Sequence, residues 1–442
     1  MSPMRPTVPF DRDAVRRIVD AQPFDVRKAS IREMNRLVNA IEAGLTVRFI
    51  RMEFGSPGLP VSDIAVQAEI EALRDLHVGN VYAPFDGLPE LREEAARFVK
   101  LFMGLDVPAA CCVPTVGAME GCFASLALAN RMHDDRHTVI FLQPGFPVNQ
   151  QQARFLGINT HSIDFYDHRG DALIRAVEER FRQGDVCGIL WSSPNNPSWI
   201  VLNEDELRGI GRLCDRYDVL AIEDLAYFGM DLRQDVLVPG SPPYQPTVLR
   251  YTESGISVIS SSKMFSYAGQ RIGISVLHPD LAERRVPDLA DRLGSPLVRH
   301  AFMHGILYPL MASVPESPQY GLLALLRAAN AGDRSLFAPA MEYARRAKAM
   351  KKIFLDHGFR LVYDNDLGEP LSDGFYFTLS YPGFDDGADL IVELLHYGVS
   401  AITLDATGSC RKEGLRACVS LTGPELYETL SDRVRKFHED HR

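Results

Sequence analysis

The stretch from about residue 105 to 280 constrains this chain most, because short apolar runs alternate there with amphipathic helical segments, and few architectures bury both. The runs are His137–Leu142, Val186–Trp191, Val219–Glu223, Ile256–Ser260 and Ile272–Leu277. Between two of them, Asn203-x-x-Glu206 has the spacing of a capping box and opens a helix that reaches Tyr217. This rhythm predicts an α/β fold whose large domain holds a mostly parallel mixed sheet flanked by helices.

The flanking regions read differently. Residues 1–60 look like an N-terminal arm with helical material over Asp25–Gly44, closed by Gly55-Ser56-Pro57-Gly58-Leu59-Pro60. Ser62 then caps a helix to about His77, and Pro89 starts another that ends near Gly104. In the C-terminal third a long helix, about Pro339–His357, stops at Gly358. Strand-like Phe375–Ser380, Ser400–Leu404 and Leu415–Leu421 follow, with a helix over about 387–397. These pieces predict a smaller α+β domain built from both termini. The expected divisions are 1–60, 61–328 as the large domain, and 329–442.

A chain of 442 residues is more than one hydrophobic core usually holds, which agrees with two domains. Lys and Arg number 47 against 58 Asp and Glu, and no basic block is long enough for a nucleic-acid or acidic-membrane surface. There is no run of 18 apolar residues and no apolar segment behind the N-terminal charges, so neither a membrane span nor a leader is expected. The seven cysteines are odd in number and lack CxxC spacing. That favours reduced thiols in a cytoplasmic setting, with no metal site.

In open α/β sheets, ligands gather beyond the carboxyl ends of the strands, and the chemistry-bearing residues of this chain follow its apolar runs. Ser260-Ser261-Ser262-Lys263 follows one strand, with Arg271 eight positions after the lysine, so that an amine nucleophile lies near an anion-binding group. The Ser-x-x-Lys spelling also occurs in penicillin-binding acyl-enzymes, but Ser-Asp-Asn and Lys-Thr-Gly are both missing from the chain. Asp224 ends another strand, where a buried carboxylate needs a cation; a protonated heteroaromatic nitrogen would serve, although a cap is the plainer role. Asn196 stands before a proline, which aims its amide at one place, although taken alone the segment reads as a turn. Gly117 opens a helix whose exposed N–H groups suit a phosphate. Phe146, after Pro144-Gly145, could lay an aromatic face on a ring.

Taken together, Tyr82-Ala83-Pro84-Phe85-Asp86-Gly87-Leu88-Pro89-Glu90-Leu91, Gly117-Ala118, Asn195-Asn196-Pro197, Asp224-x-x-Tyr227, Lys263 to Arg271 and Gly414-Leu415-Arg416 occur in an order that resembles the fold-type-I pyridoxal-phosphate enzymes, specifically the class I/II aminotransferases. The resemblance runs from Gly55 to Arg416. It implies the PLP-transferase fold and pyridoxal 5'-phosphate, joined to Lys263 as an aldimine, with Lys263 also moving the proton during transamination. Asp224 would keep the ring nitrogen protonated, Asn196 and Tyr227 would hydrogen-bond the ring hydroxyl, and Phe146 would stack on the ring. Gly117, Ala118, Met119, Ser260, Ser262 and Arg271 would surround the phosphate, together with Tyr82 reaching over from a second subunit, which implies a homodimer. Arg416 would clamp the substrate α-carboxylate, with Asn196 and Gly55 beside it.

The expected activity is amino-group transfer between a small amino acid and a 2-oxo acid, and the runner-up is a lyase or γ-replacement enzyme resembling aminocyclopropane-carboxylate synthases. A metabolite-sensing DNA-binding regulator is disfavoured, since the first 60 residues are neither basic enough for a DNA-binding head nor of helix-turn-helix pattern. Three departures from the family pattern stand out: Ser198-Trp199 where Thr-Gly is usual, Met119 where a hydrogen-bonding side chain is common, and Phe146 in place of Tyr or Trp. Arg299 is a candidate second substrate arginine, and a surface or helix-end position is its simpler reading.

Overall fold

The computed structural model describes residues 7–442 and divides them into two compact units. One comprises the N-terminal residues to Gly58, Asn196–Trp199 and Met341–Arg442; the other comprises Leu59–Asn195 and Ile200–Ala340.

The larger unit is built on a seven-stranded sheet. Its strands are β1 (Cys112–Thr115), β2 (Thr138–Gln143), β3 (Asn159–Asp164), β4 (Val186–Ser192), β5 (Leu220–Leu225), β6 (Gly255–Ser260) and β7 (Gly273–Leu277), in the order β1-β7-β6-β5-β4-β2-β3. All neighbouring pairs are parallel except those of β7, which runs antiparallel to both β1 and β6. The connection from β6 to β7 carries only short helical turns, so the chain can return beside β6 only in the opposite direction.

All five expected strands are present within a residue or two of their expected bounds. Two further strands were not legible in the sequence. β1 is four residues long and contains Pro114, and β3, Asn-Thr-His-Ser-Ile-Asp, exposes four of its six residues as the edge of the sheet, so neither presents an apolar run. Helices cover the sheet, including Gly117–Met132 and Glu204–Tyr217, the latter with the Asn203/Glu206 capping box formed in both directions. Asp63–Arg74, Pro89–Phe98 and Glu316–Asn330 pack together in the same unit. The helix that starts at Pro89 passes into a π turn, Val99–Met103, before left-handed Gly104 ends it.

In the smaller unit, Tyr376–Ser380 and Leu415–Cys418 are the central strands of an antiparallel four-stranded sheet with Ile402–Thr403 and Arg360–Leu361 at its edges. Ile50–Arg51 pairs in parallel with Val399–Ser400, so both ends of the chain build this α+β unit. The expected single strand Ser400–Leu404 is two short ones, broken at Ala401. In its core Phe354 of the helix Ala338–Asp356 meets Phe359 edge-on, and Phe359 packs at a tilt against Phe437 of the helix Tyr427–Asp440. Six of the seven cysteines are buried and no disulfide joins them among the described residues. Among the described residues no helix is long and apolar enough to cross a membrane.

Candidate active site

In the larger unit the candidate residues collect at the carboxyl ends of β4, β5 and β6. Register pairs Asp224 of β5 with Ser192 of β4 on one side and Val258 of β6 on the other. Asp224 is buried, and its Oδ1 has no hydrogen-bond partner among the described residues. Burial pushes its carboxyl up to about 7, partly opposed by a hydrogen bond from the backbone N–H of Ala226. Glu223, its neighbour on the opposite face of the strand, is also pushed up to about 7 by burial, but accepts hydrogen bonds from Thr247 Oγ1 at 2.6 Å and Ser257 Oγ at 2.7 Å. One carboxyl is therefore satisfied by the fold, and the other offers an oxygen that the fold leaves unused.

Lys263 follows β6 and is half-buried. Its short helical turn, Ser261–Met264, is held from several sides. Ser260 Oγ accepts from the Ser262 N–H at 3.2 Å, Ser261 Oγ donates to the Ile272 carbonyl at 2.6 Å, and Tyr267 Oη donates to Glu69. Arg271 ends the segment in the left-handed region at φ 51°, with Nη1 donating to the Ala268 carbonyl at 2.9 Å and lying 3.5 Å from Ser262 Oγ. Gly117 stands at the first position of its helix with φ 67°, and a Cβ there would be 2.5 Å from Arg271 Nη2. A Cβ on Gly273 would come within 3.2 Å of the Ala118 N, so Ala118 shares this cradle. The cradle thus combines a guanidinium with the free N–H groups and positive end of a long helix, the combination that binds phosphate.

Tyr227 is buried in the turn after β5, and half-buried Phe146 caps the helix Pro147–Phe155. Met119 uses its carbonyl rather than its side chain, accepting from Gln152 Nε2 at 2.8 Å. Two residues near Asp224 carried no signal in the sequence. The Cys122 thiol is raised well above its ordinary value, chiefly by burial and then by the charge of Asp224, and it hydrogen-bonds Asn149. Both resemble ordinary core residues until the fold sets them behind the carboxylate.

The smaller unit gathers a second group. Arg416 lies in the central strand, opposite Thr378 and Ile402, and is only 1% exposed. Nη2 donates to the Glu53 carbonyl at 2.7 Å, Nη1 reaches Asn196 Oδ1 at 3.4 Å, and Nε has no partner among the described residues. No carboxylate is paired with this guanidinium there, whereas the buried Glu53 carboxylate is answered by Arg51 at 2.8 Å. The Tyr376 ring covers Arg416 with its centroid 4.6 Å from Cζ, and Gly55 runs against the Tyr376 hydroxyl so closely that a Cβ would collide with it. Tyr376 is thus a third neighbour of the arginine that the sequence did not announce.

Two candidates lie apart from these groups. Tyr82 is 85% exposed, near exposed Val81 and the edge-to-face pair of Phe85 and Tyr308. Arg299 sits in the short helix Val298–His300 and pairs with Glu283 at 3.1 Å, which corresponds to the simpler reading of that residue.

The family model described as aminotransferase class I and II matches residues 51–314. A probable aspartate aminotransferase of Methanocaldococcus jannaschii is 22% identical over 87% of this chain and 90% of its own length. The glutamate–pyruvate aminotransferase AlaC of Escherichia coli is 27% identical over 44% of this chain and 46% of its own. Among solved structures, the aspartate aminotransferase of Thermus thermophilus with maleate superposes with a TM-score of 0.73 at 19% identity, covering 95% of this chain and 98% of that one. An aminotransferase from Mycobacterium tuberculosis gives 0.74 at 19% identity, over 95% and 100%. The family model covers more than half of the chain and the solved structures share its fold: the chain belongs to the aminotransferase class I and II family, a family of pyridoxal-phosphate-dependent transaminases.

Proposed function

We propose that this protein transfers an amino group between a small amino acid and a 2-oxo acid, using pyridoxal 5'-phosphate held by its larger domain, about residues 61–328. The observation that carries this reading is the buried Asp224, whose Oδ1, without a partner among the described residues, lies at the end of the strand beside the one leading to Lys263. The residues fit the cofactor. Asp224 would accept a hydrogen bond from the protonated ring nitrogen, a cation beside which its carboxylate charge is favoured. Gly117, Ala118, Ser260, Ser262 and Arg271 hold the phosphate, with Met119 contributing backbone only. Phe146 supplies a stacking face, and Tyr227 and Asn196 supply hydrogen bonds to the ring hydroxyl.

When bound, the cofactor supplies an electron sink for the pair left on the substrate Cα. Lys263 would hold the cofactor at its aldehyde carbon and, as a neutral amine, would take the proton from the substrate Cα and deliver it to that same cofactor carbon, on the far side of the nitrogen. Arg416 binds the α-carboxylate through its planar fork and fixes which bond at Cα stands ready to break. That no carboxylate pairs with Arg416 among the described residues supports this role, since a buried guanidinium without an anion is costly and an incoming carboxylate removes that cost. Asn196 and Gly55 complete this end of the site.

Homodimerisation is supported by the apolar surface of Val81, Tyr82, Phe85 and Tyr308, with Tyr82 completing the neighbouring phosphate site. A cytoplasmic setting is supported by the buried, unbridged cysteines. Nothing in the fold or among the relatives favours elimination or replacement. The test is a half-reaction. Mixing the cofactor-loaded enzyme with one amino acid and no acceptor should release one equivalent of 2-oxo acid, keep the amino group on the enzyme, and return it when an oxo acid is added. Continuous turnover without an acceptor, releasing ammonia or a leaving group, would contradict the proposal.

A further inference from the structure

Trp199 is the outlier of the smaller unit. It is a bulky residue at φ 65°, in the left-handed region that side chains of its size avoid, and yet its indole is only 1% exposed. A backbone held in this way persists only where its surroundings over-determine it. Those surroundings are specific. The indole lies against the Gly374 backbone so tightly that a Cβ there would run into the ring, and it meets Tyr376 edge-on with centroids 6.2 Å apart at 70°. Tyr376 in turn presents its face to the Arg416 guanidinium. Three side chains from three separate segments thus pack in series, and the last of them, Arg416, has an Nε without a hydrogen-bond partner among the described residues.

We infer that Trp199 and Tyr376 are positioning residues for the carboxylate clamp: the indole fixes the phenol ring, and the ring fixes the plane of the Arg416 guanidinium, leaving its Nε edge for substrate. This rests on the reading of Arg416 as the clamp. The ring face offers a cation attraction without competing for the N–H groups, which a carboxylate at that place would consume. The two glycines, 55 and 374, provide the clearance that lets the rings approach this closely.

The test is the dissociation constant of propionate, a carboxylate without an amino group, measured by calorimetry on the cofactor-loaded enzyme. Tyr376→Phe and Trp199→Phe keep an aromatic ring and should hold affinity within about twofold. Tyr376→Leu should weaken it roughly tenfold, the size expected of a desolvated cation–π contact. Trp199→Gly, which relaxes the backbone but removes the indole, should weaken it by about threefold to tenfold. If Trp199→Gly fails to fold, the Tyr376→Leu and Tyr376→Phe pair decides alone. A merely structural role would lower the melting temperature while leaving the propionate constant unchanged, and that result overturns the inference. Arg416→Leu separates the two readings. If it abolishes propionate binding while Tyr376→Leu has no effect, the clamp stands and the positioning role falls; if it has no effect, both fall.

Discussion

Arg271 lies so close to Gly117 that no side chain can stand between them: a Cβ at 117 would be 2.5 Å from Nη2, on a backbone already at φ 67°. The guanidinium and the first N–H groups of the helix therefore face the same small space. Gly117→Ala should cost about 1–2 kcal/mol of stability from the left-handed backbone alone. It should also push Arg271 aside, so that pyridoxal phosphate binds at least roughly tenfold more weakly. Titration of the cofactor-free protein, with thermal melts alongside, measures both effects.

Asp224 and Glu223 share a cause for their raised carboxyls but differ in what answers them. Both are raised by burial above their unfolded values, so in the cofactor-free protein the neutral forms are favoured on folding. The sign follows: their contribution to stability is present below the unfolded carboxyl range, near pH 4, and is lost as pH rises toward about 7. Asp224→Asn should remove its share of that slope, leaving the cofactor-free variant more stable than the parent at pH 8 by about 1–3 kcal/mol, and closer to it at pH 5. Urea unfolding at the two pH values tests this. The same variant should lose catalysis, because a neutral amide no longer holds the ring proton.

How far the sequence foretold this can be seen at particular residues. Lys263 and Asp224 were readable as candidates because each follows or closes a short apolar run, at the strand ends where such sheets bind ligands, and Arg271 because it stands eight positions after Lys263. The Asn203/Glu206 cap was legible because its chemistry is local. β3 was not, because an edge strand needs no apolar alternation, and the reversed direction of β7 was not, because direction is set by the connection rather than by the strand. Tyr376 was hidden for a different reason. It lies in an ordinary strand 40 positions before Arg416, and only strand pairing and ring packing bring the two together.

Arg416 should show opposite effects on function and stability. Replacing this buried, carboxylate-free guanidinium by Leu removes a desolvated charge, so stability should be unchanged or should rise by about 1–2 kcal/mol, despite the two lost hydrogen bonds. The Michaelis constant for amino acids should rise by about 100-fold or more, since the carboxylate loses a charge-assisted partner. Steady-state kinetics and chemical denaturation report the two effects separately.

The exposed Phe85 and Tyr308 rings, paired edge-to-face at 5.0 Å, provide a test of the dimer. Replacing both with Asp should leave the fold of each chain intact, shift sedimentation from dimer to monomer, and reduce activity together with dimer content. If the parent protein sediments as a monomer with full activity, Tyr82 has no role in a neighbouring site.

The most direct test is to locate the covalent attachment of the cofactor. Loading the protein with pyridoxal phosphate, reducing it with borohydride and mapping its peptides by mass spectrometry should find the pyridoxyl group on Lys263 alone, with none retained in Lys263→Ala. Attachment to another lysine, or undiminished labelling of that variant, would contradict the account.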